Sequence, residues 1–225
     1  MRKSPVKLCV LSIGESPRPE LWDEIAQNLS FPFETVHKGL LDDPQTVAFL
    51  RIPKPGPDAL VTQLQSGNTV WISSPKAHQA LSRMVPHILH NEKPDALVIL
   101  CTAIQNLEVD SKNLVLSPGI MIREMIVNQG KNPIGIILPD KGQWPSLDPA
   151  LSVKDVILYD LMPPGRDDDF KRSGAFLKDH GARSVVLHCM AYPLSAITYL
   201  SPVFGDAIAH PRKLIIETLN NRFNV

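Results

Sequence analysis

Three cysteines, Cys9, Cys101 and Cys189, are spread over 225 residues with no close pair. An odd count at such spacing argues against a disulfide framework or a zinc ribbon, so reduced thiols are expected. Two of them share a context. Asp95-Ala96-Leu97-Val98-Ile99-Leu100-Cys101-Thr102-Ala103 aligns with Arg183-Ser184-Val185-Val186-Leu187-His188-Cys189-Met190-Ala191, each an apolar run, a cysteine, and an alanine two residues later. Open parallel sheets bind ligands beyond the carboxyl ends of their strands, which is where both cysteines fall. Cys9 lies inside its run and reads as core. Two opposed thiols suit proton transfer at a carbon acid, one thiolate removing a proton while the other thiol donates to the opposite face. A free thiol ionises near pH 8.5, so activation calls for a helix N-terminus, a cation or a hydrogen-bonding neighbour, roles for which Thr102 and His188 are candidates. His188 abuts Cys189, yet adjacent strand residues face opposite ways, which leaves a packing or supporting role equally open.

Gly14-Glu15-Ser16-Pro17-Arg18 places a hydroxyl, a guanidinium and a helix start after the first apolar run, a combination suited to a carboxylate or phosphate. Ser16 does not read as a hydrolase nucleophile, because Arg18 stands where the elbow pattern Gly-x-Ser-x-Gly needs its last glycine. His87 and His90 share a helix face without a third ligand, and Asp167-Asp168-Asp169 reads as acids at a helix start. No metal and no cofactor are expected.

These groups need positioning elements. Val6 to Ile13 is a nearly unbroken apolar run, the mark of a strand covered on both faces. Pro19 opens a helix with Leu21, Ile25 and Leu29 on one side. Phe33 to His37 is a candidate strand. Ile52 to Asp58, with three prolines, reads as loop, and Ala59 to Leu64 with Thr69 to Ser73 as an edge hairpin. Helical spacing returns from Pro75 to about His90, followed by a strand at Ala96 to Leu100. A helix near Ile120 to Asn128, strands at Ile134 to Leu138 and Val156 to Leu161, a helix from Asp167 to His180 closed by Gly181, and a strand at Ser184 to Leu187 follow. Pro211 to Arg222 closes the chain as an amphipathic helix. Repeated alternation of strand and helix predicts an α/β fold with mainly parallel sheets flanked by helices.

Lys+Arg 23 against Asp+Glu 23 cancel, which removes the basic field that nucleic acid or an anionic membrane would demand. With 44% hydrophobic and 20% charged residues the composition is that of a soluble globular chain. No apolar run approaches the roughly 20 residues of a membrane span, and Leu8 to Ile13 is too brief for a signal peptide. A cytoplasmic protein with no nucleic-acid or membrane partner is expected, and a homo-oligomer stays open. At roughly 150 residues per domain, the length allows two small lobes, and the absence of a low-complexity linker means that they share an interface or exchange segments. The repeated strand-cysteine unit divides them into roughly residues 1–115 with 206–225, and roughly 116–205.

Ser12-Ile13-Gly14-Glu15-Ser16-Pro17-Arg18, Cys101-Thr102-Ala103 and Cys189-Met190-Ala191-Tyr192, in that order, resemble the AroM family over nearly the whole chain. That family is similar to the Asp/Glu/hydantoin racemase superfamily, which implies two pseudo-symmetric α/β lobes with one cysteine from each facing across a cleft. On this resemblance Cys101 and Cys189 match the acid/base pair. Thr102-Ala103 and Met190 differ from the Cys-Asn-Thr and Cys-Thr of amino-acid racemases, and His188 stands where an acid is expected in AroM-like chains. The sequence therefore points to a cofactor-independent racemase-like isomerase or related lyase acting on a small carboxylate, held by Ser16, Arg18, Thr102 and Tyr192. The rival is a non-catalytic small-molecule binding or sensor protein with the same cleft, and a third reading is covalent chemistry at a single cysteine.

Overall fold

The computed structural model describes residues 4–54, 56, 58–107, 112–128, 133–139, 157–164 and 169–224. The apolar runs form strands. β1 (Val6–Ser12), β2 (Phe33–Gly39), β6 (Ala96–Ile99) and the two-residue β7 (Val115–Leu116) make one parallel sheet in the order β2-β1-β6-β7. β8 (Ile134–Leu138), β9 (Ile157–Leu161), β10 (Ser184–Leu187) and β11 (Ile208–Ala209) make a second, also parallel, in the order β11-β10-β8-β9. With β1 matched to β8 and β6 to β10, the two orders are the same. The α/β pair of pseudo-symmetric parallel sheets flanked by helices is thus present.

Helix α1 (Pro19–Ala26) has Pro at its start, but Gln27 caps it, so Leu29, expected on its apolar side, falls beyond the helix. α2 (Pro44–Leu50) was not foreseen, although Asp43 accepts from the Thr46 N–H as an N-cap should. Ile52 also corrects the loop expectation: Arg51–Ile52 is a short strand, β3, paired antiparallel with β5 (Thr69–Ser73), and the prolines that forbid a strand begin only at Pro53. β5 pairs with β4 (Ala59–Gln63) as well, so the expected hairpin forms, but in a separate three-stranded sheet of order β3-β5-β4 in which β5 is central. α3 spans Ser74–Glu92, α4 Pro118–Asn128, α5 Asp169–Asp179, α6 Ala196–Phe204 and α7 Pro211–Phe223. α6, β7 and β11 carry no mark long enough for period counting. Val156, Asp167 and Asp168, named above, lie outside the described residues.

Side chains alternate across each sheet, giving four packed layers. Cys9, Leu11, Leu97, Ile99 and Cys101 pack with Ala77, Leu81, Val85 and Ile88 of α3. Leu8, Val10, Val98 and Leu100 face the other way, against Leu21 and Ile25 of α1 and Ile215 and Leu219 of α7. In the second sheet Val185, Leu187 and Cys189 meet Phe170 and Leu177 of α5 and Leu200 of α6, while Ile134, Ile136 and Val186 meet Ile122 and Ile126 of α4. The covering helices are therefore exchanged. After Leu116 the chain leaves the first sheet and α4 covers the second; after Ala209 it returns, and α7 covers the first. α4 and α7 pack on each other, which ties the sheets together. Among the described residues no helix is long and apolar enough to cross a membrane.

Candidate functional site

Cys101 and Cys189 each follow the third strand of their sheet on the face covered by α3 or by α5 and α6, and both line one cavity of about 120 Å³. Ser12 and Ile13 at the end of β1, Arg18, Thr62 of the hairpin, Thr102, Ala103, Met190 and Ala191 line it as well. Its volume is well under the roughly 300 Å³ at which drug-sized pockets begin, so it suits a small ligand. Among the described lining residues Arg18 is the charged one; the others are aliphatic, thiol, thioether and hydroxyl.

Hydrogen bonds fix the two cysteine turns, that from Thr102 running between the sheets and that from the His188 N–H within the second sheet. The Thr102 hydroxyl donates to the His188 carbonyl at 3.2 Å, and the His188 N–H donates to the Ile137 carbonyl at 2.9 Å. The Ala191 N–H points to the Cys189 sulfur at 3.4 Å. Arg18 is tethered by Glu20, by the Thr62 hydroxyl and by the Gln63 side-chain carbonyl, the last two at 3.5 Å. The hairpin also grips the loop after β1, for the Gln65 amide donates to the Pro17 carbonyl at 2.7 Å and the Gln65 N–H to Glu15.

Two of the expected ligand-holding residues are turned elsewhere. Ser16 donates both its N–H and its hydroxyl to Asp42, at 2.7 and 2.8 Å, which braces the rim loop against the turn after β2. Tyr192 is fully buried, and its hydroxyl donates to the Met162 carbonyl at 2.7 Å inside the second core. Neither is among the residues lining the cavity. His188 is also fully buried and takes the place that Leu100 takes in the first copy, but Leu100 lines the cavity and His188 does not; the Gln105 amide nitrogen lies 3.2 Å from its Nε2. Its Nδ1 has no partner among the described residues. Among those residues no cluster of three metal-ligating side chains occurs.

Burial governs the thiols. Desolvation pushes Cys101 up to about 12, only partly opposed by the N–H groups of Ala103 and Ile104, and the charged form of Cys189 pushes the same way. Cys189 is pushed up to about 11 by desolvation, opposed by the N–H groups of Ala191 and Tyr192 and by the charge of Arg212. Both are thiols at neutral pH, and Cys189 has the charge of Arg212 beside it, whereas among the described residues no cation contributes at Cys101. Cys9, buried within β1 and raised to about 11 chiefly by desolvation, is core as expected.

Sequence reading missed the residues that hold the Cys189 turn: Arg212, Glu24 and His210. Arg212 donates to the Met190 carbonyl and to Glu24, and His210 Nε2 donates to the Pro193 carbonyl at 3.0 Å. The one available sign was a cation in the first turn of α7, where the helix macrodipole disfavours it unless an anion lies close.

Gly119, in the first turn of α4, sits against the Cys101 turn, where an added Cβ would stand closer than 3.0 Å to the carbonyl oxygens of Thr102 and Ile104. Gly119→Ala is expected to lower stability by about 1–3 kcal/mol, the usual cost of overpacking, because both neighbours are backbone. A urea midpoint equal to that of the wild type would show that the turn yields freely.

The AroM protein family model matches residues 8–221. No curated protein matches the chain. Among solved structures, an allantoin racemase from Pseudomonas fluorescens is similar at 10% identity and a TM-score of 0.50, over 96% of this chain and 90% of that one. An aspartate racemase from Picrophilus torridus is similar at 9% identity and a TM-score of 0.49, over 97% and 94% of the respective chains. At 10% identity the likeness to the allantoin racemase is one of fold.

Proposed function

Because the chain belongs to the AroM family, we propose that it is a cofactor-independent racemase-like isomerase, or a related lyase, in which Cys101 and Cys189 act as paired acid and base on a small carboxylate. The observation that carries this reading is the single small cavity lined by both cysteines, each at the end of the equivalent strand of its sheet. The lobes of the reading divide the chain at roughly residues 1–115 with 206–225 against 116–205, with the returning crossover after Ala209.

Within this reading the carboxylate sits against Arg18, the cation of the cavity wall, and Thr102 fixes the distance between the two cysteine turns rather than binding substrate through its hydroxyl, which is engaged by His188. Ser16 and Tyr192 act at one remove, bracing the rim loop and the Cys189 turn. One thiol, deprotonated, removes the proton on one face of the substrate carbon; the other delivers its proton to the opposite face, and configuration inverts. The experiment that tests the reading is proton exchange at a candidate ligand's carbon in deuterium oxide, first by wild type and then by the single cysteine variants.

The raised thiols favour the second reading. With Cys189 at about 11, roughly one molecule in ten thousand carries that thiolate at pH 7. A binding or sensor protein needs no thiolate at all. Titrating both thiols with and without ligand separates the two: the isomerase reading requires at least one to ionise more readily when the cleft is filled.

Arg18→Ala is expected to weaken binding of an anionic ligand about ten- to a hundred-fold, since a charge-assisted bond to a carboxylate contributes about 1.5–3 kcal/mol. Calorimetric affinity that is unchanged for a ligand displaced by cleft competitors would remove Arg18 from recognition.

A further inference from the structure

The clamp on the Cys189 turn comes from the far end of the chain. Arg212 is 4% exposed. Its Nε donates to the Met190 carbonyl at 2.9 Å, Nη1 to Glu24 at 2.6 Å and Nη2 to the Glu20 carbonyl at 3.1 Å. Glu24 also accepts from the Leu194 N–H, at 3.0 and 3.1 Å to its two oxygens. One guanidinium and its carboxylate therefore hold both ends of the segment from Met190 to Leu194, and the N–H aimed at the Cys189 sulfur, that of Ala191, lies inside it. Arg212 touches the helix that begins at the rim arginine, because Glu20, whose carbonyl it binds, pairs with Arg18 through its side chain.

Resting on the two-thiol reading, we propose that Arg212 is a positioning residue that makes Cys189, rather than Cys101, the base of the resting site. Two effects act together. The bond to Met190 sets the turn so that the Ala191 N–H faces sulfur, and a buried positive charge favours thiolate over thiol in a low-dielectric place. The groups that face this pair are Cys101 from the first sheet, Tyr192 in the same turn, Glu24 from α1 and His210, whose Nδ1 accepts the Arg212 N–H at 3.1 Å. Glu24 carries the opposing charge. It lies against Arg212 and tempers the field at the sulfur.

The test is alkylation by iodoacetamide, with each cysteine followed by peptide mass spectrometry as pH is raised from neutral. In wild type, Cys189 is labelled faster than Cys101. Arg212→Gln lowers the Cys189 rate about ten-fold, one pKa unit, with Cys101 little changed, and Arg212→Lys restores part of it by keeping the charge. Glu24→Gln moves the other way and raises the Cys189 rate, because it leaves the guanidinium unneutralised. A clamp with no electrostatic part would alter both cysteines together and in the same direction in the Arg212 and Glu24 variants, and that result would overturn the proposal. So would a Cys189-to-Cys101 ratio unaffected by Arg212→Gln. If Arg212→Gln does not fold, the Lys and Glu24 variants decide by the same signs. Labelling needs no substrate, so a protein that keeps this asymmetry and exchanges no substrate proton would count against the isomerase reading alone.

Discussion

On the two-thiol reading, Cys101→Ser and Cys189→Ser are each expected to abolish racemisation, by a thousand-fold or more (roughly 4 kcal/mol of barrier), because inversion needs one sulfur as base and the other as acid whichever enantiomer is bound. The two variants differ in what survives. Each retains one thiol and so exchanges the proton of only one enantiomer with solvent deuterium, and the two variants retain opposite enantiomers. A near-attack geometry places each sulfur about 3–3.5 Å from the reacting carbon, a demand that serine's shorter bond and much weaker acidity do not meet. Wild-type turnover should rise with pH through the neutral range, as the burial-raised thiols begin to ionise. Deuterium incorporation into each enantiomer, read by mass spectrometry, checks all of this. Full racemisation by either variant would exclude the two-thiol mechanism, and loss in one variant only would point to chemistry at a single cysteine.

Stability is expected to fall as pH drops from about 6.5 to about 4, through two buried histidines, His188 and His210. Desolvation lowers both His188 and His210 from 6.5 to about 4. His210 is held as the neutral Nε2–H form by its partners: a carbonyl accepts at Nε2 and a backbone N–H donates at Nδ1, so a second proton would face a donor. His188 is fully buried with Nδ1 unpartnered among the described residues. Above pH 6.5 both imidazoles are neutral in folded and unfolded chains alike, and the contribution is whole. Below it the unfolded chain takes up protons that the native state refuses, so stability declines until the folded values are passed near 4. Each histidine contributes about 3 kcal/mol to this decline. His37, lowered chiefly by burial, adds in the same direction. The carboxylate of Glu92, lowered chiefly by its hydrogen bond from Lys38, loses its contribution at lower pH still. Urea unfolding at a series of pH values measures the slope, which should correspond to about two protons. Stability that stays flat across the window would show that these imidazoles are charged in the native state.

Much of the architecture was legible locally. Val6 to Ser12, Ala96 to Ile99 and Ser184 to Leu187 are strands because their apolar residues are continuous, which suits a sheet covered on both sides. The cysteines stand at the ends of two of them, so their shared place at the carboxyl edge followed from the repeat. Prolines opened α1 and α7, and Gly181, with a φ of +96°, closed α5 as expected. What a local pattern encodes is burial and backbone conformation, and those readings held.

Tertiary structure decided the partners. The apolar stripe of α7 said that the helix is buried, yet nothing in it said that it covers the first sheet while α4 covers the second. β7 and β11, two residues each, exist only because a neighbouring strand is already in place to pair with them. Ser16 and Tyr192 stand beside the motifs that suggested ligand contact, but a motif does not say which way a side chain turns, and Asp42 and the Met162 carbonyl claim them. Arg212 and Glu24, 188 positions apart, meet only when α7 returns to the first sheet. Apolar periodicity is set by each residue and its near neighbours in sequence, whereas a hydrogen bond or ion pair between distant residues depends on the packing of the whole chain. For that reason the strands and the cysteines could be read from the order of residues, and the groups that hold and tune the Cys189 turn could not.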